Sequence, residues 1–190
     1  MFDWTDNVAL LVGTIVFILA IMFAYSVGDN EFNVLDKIVE SNYSREKVPI
    51  WSRIELKDLR TDARFKILDF KGKKILLENF AVWCPICFEQ QQIIREFSKK
   101  RRNFIFISLD IDPNEDKKAI RDYISRNGFG WKYAISSTEM TEALVDEFGS
   151  GIVSALSVPM ILICEDGNFR KLSEGLKSVK KLEEEIDKGC

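Results

Sequence analysis

The stretch "KILLENFAVWCPICFEQQQIIREF", Lys74 to Phe97, limits the fold more than any other part of the chain. It begins as a near-continuous apolar run, the pattern of a strand buried on both faces, and changes to helical spacing after Trp83. Pro85 stands where a helix takes its first residue, because a first-turn residue has no intrahelical N–H bond to lose. The helix is therefore predicted from Pro85 through Phe97, with Cys84 near its N-cap. A strand running straight into a helix is a β–α unit, and further units follow. "NFIFISLDI" reads as a second apolar strand, and "NEDKKAIRDYISRNG" as a helix with acidic residues in its first turn and Gly128 just past its end. "TEMTEALVDEFG" is a helix, "VPMILICEDGNF" a strand running from Pro159 to an Asp166-Gly167 turn, and "SVKKLEEEIDK" a closing amphipathic helix. Upstream, "WSRIELKDLRTDARFKILDFKGKK" reads as short extended pieces with a turn at Lys71-Gly72. The pattern predicts an α/β sheet covered by helices on both faces, with right-handed crossovers. Cys84 and Cys87 then lie at the C-terminal end of a central strand, the edge of an open α/β sheet where sites form.

The front of the chain differs. Val8 to Val27, "VALLVGTIVFILAIMFAYSV", is roughly 20 residues without a charge, enough for a helix to cross the hydrocarbon layer of a membrane. A cleaved signal peptide is the competing reading, since Ala24-Tyr25-Ser26 resembles a cleavage site. The leader "MFDWTDN" carries Asp3 and Asp6 but no Lys or Arg, which favours an uncleaved anchor. The expected organisation is a tail and anchor over 1–28, a juxtamembrane stalk over 29–50 with Val34, Leu35, Ile38 and Val39 at helical spacing, and the α/β domain over 51–190. Lys37, Arg45 and Lys47 follow the span at a distance, and counted literally they place the domain on the cytoplasmic side.

The chemistry is narrowed by what the 190 residues lack. There is no histidine, which excludes His-ligated metals, Ser-His-Asp triads and Cys-His proteases. A net charge of -3, with basic residues only in short runs (Lys99 to Arg102, Lys117-Lys118), gives no nucleic-acid footprint. Four cysteines are too few for a disulfide scaffold. Zinc needs four ligands, and Cys164 and Cys190 are single and far from the pair; two packing cysteines would not need a proline and a helix start at the same place. A Cys-x-x-Cys at a helix mouth, by contrast, puts the first sulfur beside unpaired N–H groups and the positive end of the helix dipole. Lowering a thiol's pKa from about 8.5 to about 7 raises the thiolate fraction at neutral pH from about 3% to about half. One helical turn brings the second sulfur back to the first, so the pair can close a disulfide: Cys84 attacks and Cys87 resolves. Glu78, a lone acid inside the buried strand, should have a raised pKa and can take the proton from Cys87. Cys164 reads as a small buried hydrophobe and Cys190 as a tail thiol, with a second disulfide between them as the alternative.

From Ile54 to Lys188 the chain resembles the thioredoxin-fold thiol–disulfide oxidoreductases, especially the membrane-anchored TlpA/ResA branch. The match rests on "IELKDLRTDARFKILDFKGKKILLENFAVWCPIC", "FISLDIDPNEDKKAIRDYI" and "VPMILICEDGNF…SEG", in that order. The resemblance implies a thioredoxin-like mixed sheet, and it implies roles. Pro159 falls at the cis-proline facing the disulfide, and Val158 before it offers backbone hydrogen bonds to a substrate strand. Trp83 matches the aromatic residue before the first cysteine, Pro85 lies within the substrate-facing motif, and Glu78 takes the place of the buried acid. Where the branch often has a glutamate and then a proline after the second cysteine, Gln90 and Gln92 stand here, with Glu89 one position early. "FGSGIVSALSVP" is longer than usual for the segment beside the site. Ala81 stands where peroxiredoxins have Thr or Ser, which speaks against a peroxidase.

The expectation is a membrane-tethered thiol–disulfide oxidoreductase exchanging disulfides with protein substrates, a reductant by preference, with no cofactor or metal. Its electron donor would be another dithiol protein such as a membrane reductase. Family resemblance favours an extracytoplasmic domain over the charge count. The alternatives are a thioredoxin-like carrier holding Cu(I) or another soft metal between its two thiolates, and a peroxiredoxin-like peroxidase.

Overall fold

The structure, a computed structural model, describes residues 48–189. The predicted membrane span at 8–27 and the stalk as far as residue 47 lie outside these residues. Among the described residues no helix is long and apolar enough to cross a membrane.

Pro49 is the N-cap of a single turn, α1, which occupies Ile50–Arg53. β1 (Leu56–Lys57) and β2 (Arg64–Phe65) form an antiparallel hairpin. The next segment, Ile67–Phe70, is a 3₁₀ turn rather than extended chain, because the Asp69 carboxylate accepts the Lys66 N–H at 2.7 Å and folds the backbone back. The main sheet then builds from β3 (Lys74–Phe80), β4 (Phe104–Asp110), β5 (Lys132–Ile135), β6 (Met160–Ile163) and β7 (Phe169–Lys171) in the order β5-β4-β3-β6-β7. β3, β4 and β5 are parallel; β6 runs antiparallel to β3, and β7 antiparallel to β6. Parallel neighbours require crossovers, and α2 (Pro85–Lys100) and α3 (Lys117–Asn127) supply them. α4 (Thr138–Phe148), two 3₁₀ turns (Ser150–Val153 and Ala155–Ser157) and α5 (Val179–Asp187) complete the domain.

The alternation along β3 divides the core. Leu76 and Phe80 face a layer made by α2, α3 and α5, with Ile94, Phe97, Ile120, Tyr123, Leu182 and Ile186. Ile75 and Leu77 face the other layer, made by α4 and the N-terminal pieces, with Trp51, Phe65, Met140 and Leu144. Helices on both faces account for β3 being buried from Ile75 onward.

The helix ends follow local chemistry. Asp116, Ser137 and Ser178 cap α3, α4 and α5 by accepting backbone N–H groups in the first turn. Gly128 ends α3 in the left-handed region at φ 63, with open space where a Cβ would stand. The cost of a side chain there is therefore conformational: Gly128→Ala should lower stability by about 1 kcal/mol, read as a reduced thermal midpoint, with exchange chemistry unchanged.

Candidate active site

β3 carries the chain to the C-terminal edge of the sheet, and α2 begins directly beyond it. Cys84 is the N-cap of α2, in extended conformation, with Pro85 in the first turn. Its sulfur accepts the Cys87 N–H at 3.2 Å, so one of the orphan donors of the helix is spent on this sulfur. Cys84 and Cys87 form a disulfide with Cα atoms 5.3 Å apart, the juxtaposition one helical turn creates. Cys87, Gln91 and Ile94 then continue inward along the same face.

Glu78 lies in β3 beneath this helix and is 1% exposed. Burial raises its carboxyl from 4.5 to about 8, against the hydrogen bonds of Ser108 and Gln91 and the positive charge of Lys177. Ser108, opposite Glu78 on β4, donates its hydroxyl to Oε1 and accepts the Trp131 indole N–H at 2.7 Å. Tyr123 and Tyr133 both donate to Gln91 Oε1, at 2.8 and 3.0 Å, which fixes the orientation of that amide. The amide nitrogen is thereby turned away from the hydroxyls, and it and Glu78 Oε2 are both buried without a well-formed hydrogen bond. Tyr123 and Tyr133 are pushed above the usual phenol range by burial and, secondarily, by the charge of Glu78.

The mouth of the site is different in character. Trp83 is 58% exposed, and its indole N–H donates to Asp112 Oδ2 at 2.6 Å, which holds the ring beside the 111–114 loop. A groove runs between them and the 153–156 segment, lined by Ala81, Trp83, Pro113, Val153 and Leu156. Leu156 is 63% exposed on its far rim.

Two expectations change here. No peptide bond in the described residues is cis, so the Val158–Pro159 bond is trans. The chain reverses instead through Val158 itself, which takes φ 47, ψ 58 in the left-handed region. Nor is the backbone of Val158 presented to a substrate: its N–H donates to Ala155 O at 2.9 Å and its carbonyl accepts from Lys177 Nζ at 3.3 Å. Glu89 is exposed on α2, whereas Gln90 is fully buried and bonds the Lys177 backbone at both N–H (2.7 Å) and C=O (3.2 Å). Cys164 lies just past β6, buried, and is not a free thiol. No group of three or more candidate metal ligands occurs among the described residues.

Lys177, Ser108 and Asn79 were not singled out from the sequence. A lysine that is 1% exposed gives no signal in a chain with 27 Lys and Arg, because only the fold buries it.

A profile of the family described as Redoxin matches residues 45–186. The chain belongs to the Redoxin family. Its closed dithiol pair stands at the mouth of α2, inside the matched region. An uncharacterized protein of Haemophilus influenzae is 30% identical over 103 residues, a match spanning 54% of this chain and 62% of the relative's length. Among solved structures, a thiol:disulfide interchange protein of Chlorobium tepidum shares the fold at TM-score 0.59 and 18% identity, covering 71% of this chain and 91% of its own. A secreted Mycobacterium tuberculosis disulfide oxidoreductase, described as homologous to E. coli DsbE, aligns at TM-score 0.57 and 13% identity over 73% of this chain and 98% of its own. These likenesses establish the thioredoxin-like sheet with helices.

Proposed function

We propose that this redoxin exchanges disulfides with protein substrates as a reductant, from a domain tethered to the outer face of a membrane by residues 8–27. The observation that carries the exchange chemistry is Cys84 at the N-cap of a 16-residue helix, its sulfur accepting the Cys87 N–H. In the reduced chain that same donor and the helix dipole favour thiolate at Cys84. The thiolate attacks one sulfur of a substrate disulfide, and the other substrate sulfur leaves as a thiolate that takes a proton. Glu78 removes the proton of Cys87, whose sulfur attacks Cys84 Sγ and expels the second substrate thiol. Two electrons have passed from the dithiol to the substrate, and Cys84–Cys87 is again a disulfide. A carboxyl with a pKa near 8 suits this transfer, since it exists in both forms near neutral pH. Another dithiol protein then reduces the pair; a membrane reductase would be placed to do so. Trp83 and Pro85, exposed beside the sulfurs, supply the apolar contact surface for the substrate. The tether rests on the uncharged run alone.

Direction is decided by the reduction potential of the full chain, equilibrated in glutathione or dithiothreitol buffers. A value at or below about -250 mV is expected of a reductant, and one between about -120 and -180 mV would make the chain an oxidant or isomerase.

A further inference from the structure

The oxidised pair is closed to solvent. Cys84 is 1% exposed and Cys87 0%, although both lie at the mouth of a helix. What covers them is the strap of two 3₁₀ turns from Gly149 to Val158. The Ala155 carbonyl oxygen sits 3.2 Å from Cys87 Sγ and 3.6 Å from Cys84 Sγ. A reducing thiolate must approach Cys84 Sγ along the S–S axis, and a protein disulfide must reach the same sulfur once the pair is reduced; a sulfur without accessible surface offers neither approach.

The strap is held at three places. Asn79 Nδ2 donates to Ile152 O at 2.8 Å, and the Gly175 N–H donates to Ser157 O at 2.8 Å. At its end, Lys177 Nζ donates to Val158 O at 3.3 Å and to Gly175 O at 2.7 Å. Val158 is a β-branched residue before proline in the left-handed region, a conformation disfavoured on both counts and kept only while its surroundings impose it. Lys177 is itself fixed by the cysteine helix, because Gln90 binds its backbone on both sides. A continuous path thus runs from α2 through Gln90 and Lys177 to Val158, and through the strap back to the sulfurs.

We propose that Lys177 is a positioning residue for disulfide exchange: its buried ammonium fastens the strained end of the 149–158 strap over Cys84–Cys87, and a protein substrate reaches Cys84 only when that fastening lets go. The inference rests on the exchange reading above. Lysine suits the task because it donates to two carbonyls at once and its charge is balanced at a distance by Glu185, Glu78 and Glu174, with Lys171 opposing. Methionine at 177 would fill the same volume and donate nothing. The fastening explains why a lysine is buried in a domain with ample surface for it.

The test uses the full chain, oxidised, as wild type, Lys177→Met and Lys177→Arg. The rate at which dithiothreitol reduces Cys84–Cys87 is followed alongside KM and kcat for insulin reduction. Lys177→Met should be reduced about ten-fold faster than wild type, with KM for the protein substrate changed more than kcat, and Lys177→Arg should return most of the way to wild type. Equal rates in all three would overturn the proposal. If Lys177→Met does not fold, hydrogen–deuterium exchange of the wild type decides. The amides of Ile152, Ser157 and Val158 should open at least ten-fold more often than those of β6; exchange only through global unfolding, while dithiothreitol still reduces the pair, would rule the strap out as a gate. A wild type that dithiothreitol reduces normally but that never turns over a protein disulfide would refute the exchange reading instead.

Discussion

Cys84→Ser abolishes disulfide exchange, whereas Cys87→Ser stops it half-way with the substrate covalently attached. The two sulfurs differ in place, not in kind. Cys84 is the N-cap and receives the Cys87 N–H, while Cys87 lies a turn inside the helix on its inner face. In the reduced chain that N–H and the helix dipole favour a thiolate at Cys84, which makes the first attack. Serine there removes the nucleophile, and insulin reduction should fall at least about 1,000-fold, to the uncatalysed background. Serine at 87 leaves the attack and removes the resolution, so a mixed disulfide accumulates and is seen as an added mass under non-reducing conditions. Trapping by the Cys84→Ser chain instead would reverse the two roles. A chain whose turnover survives both changes is not a dithiol enzyme.

Glu78→Gln should slow release of the mixed disulfide about 100-fold and at the same time make the protein more stable at alkaline pH. Both follow from burial. The folded state raises the carboxyl from 4.5 to about 8, so the folded chain keeps a proton that the unfolded chain gives up above about pH 4.5. The stabilisation this represents is complete below pH 4.5 and is lost as pH climbs to about 8. Above that, the wild type carries a buried carboxylate held only by Ser108, Gln91 and the more distant Lys177. Glutamine keeps the shape and never ionises. The variant should match wild type near pH 4 and exceed it by about 3–5 kcal/mol at pH 9, somewhat less if Lys177 misses its counter-charge. Urea midpoints measured across that range test it. Parallel pH curves for the two proteins would show that Glu78 reaches water. A slowed release with an unchanged pH profile would show that it shapes the site without moving the proton.

Most of the elements were legible because they rest on local chemistry. The apolar run of β3, Pro85 at the start of α2, and Gly128 past the end of α3 each state a preference that tertiary structure had no cause to override. The redox pair was legible for the same reason, since two cysteines one turn apart at a helix start meet whatever surrounds them. β5 was missed: four residues, two of them only partly buried, have too little periodicity to declare themselves. They form a strand because the edge of β4 accepts them in register, from Ile107 opposite Lys132 to Asp110 opposite Ile135, and because the Leu59 N–H covers their outer side at Tyr133 O.

At the site, the sequence by itself determined the dithiol, its polarity along the helix and the acid in the neighbouring strand, all within one strand-to-helix unit. Only tertiary structure decided what lies over that unit. Residue 158 is 71 positions from Cys87, and nothing in "SALSVP" says that Val158 turns left-handed before a trans proline or that its carbonyl meets a lysine 19 positions on. A valine accepts that conformation, and a lysine accepts burial, only where packing from distant elements outweighs the local cost. Those opposing terms are summed over contacts that exist in the folded chain and nowhere along the sequence.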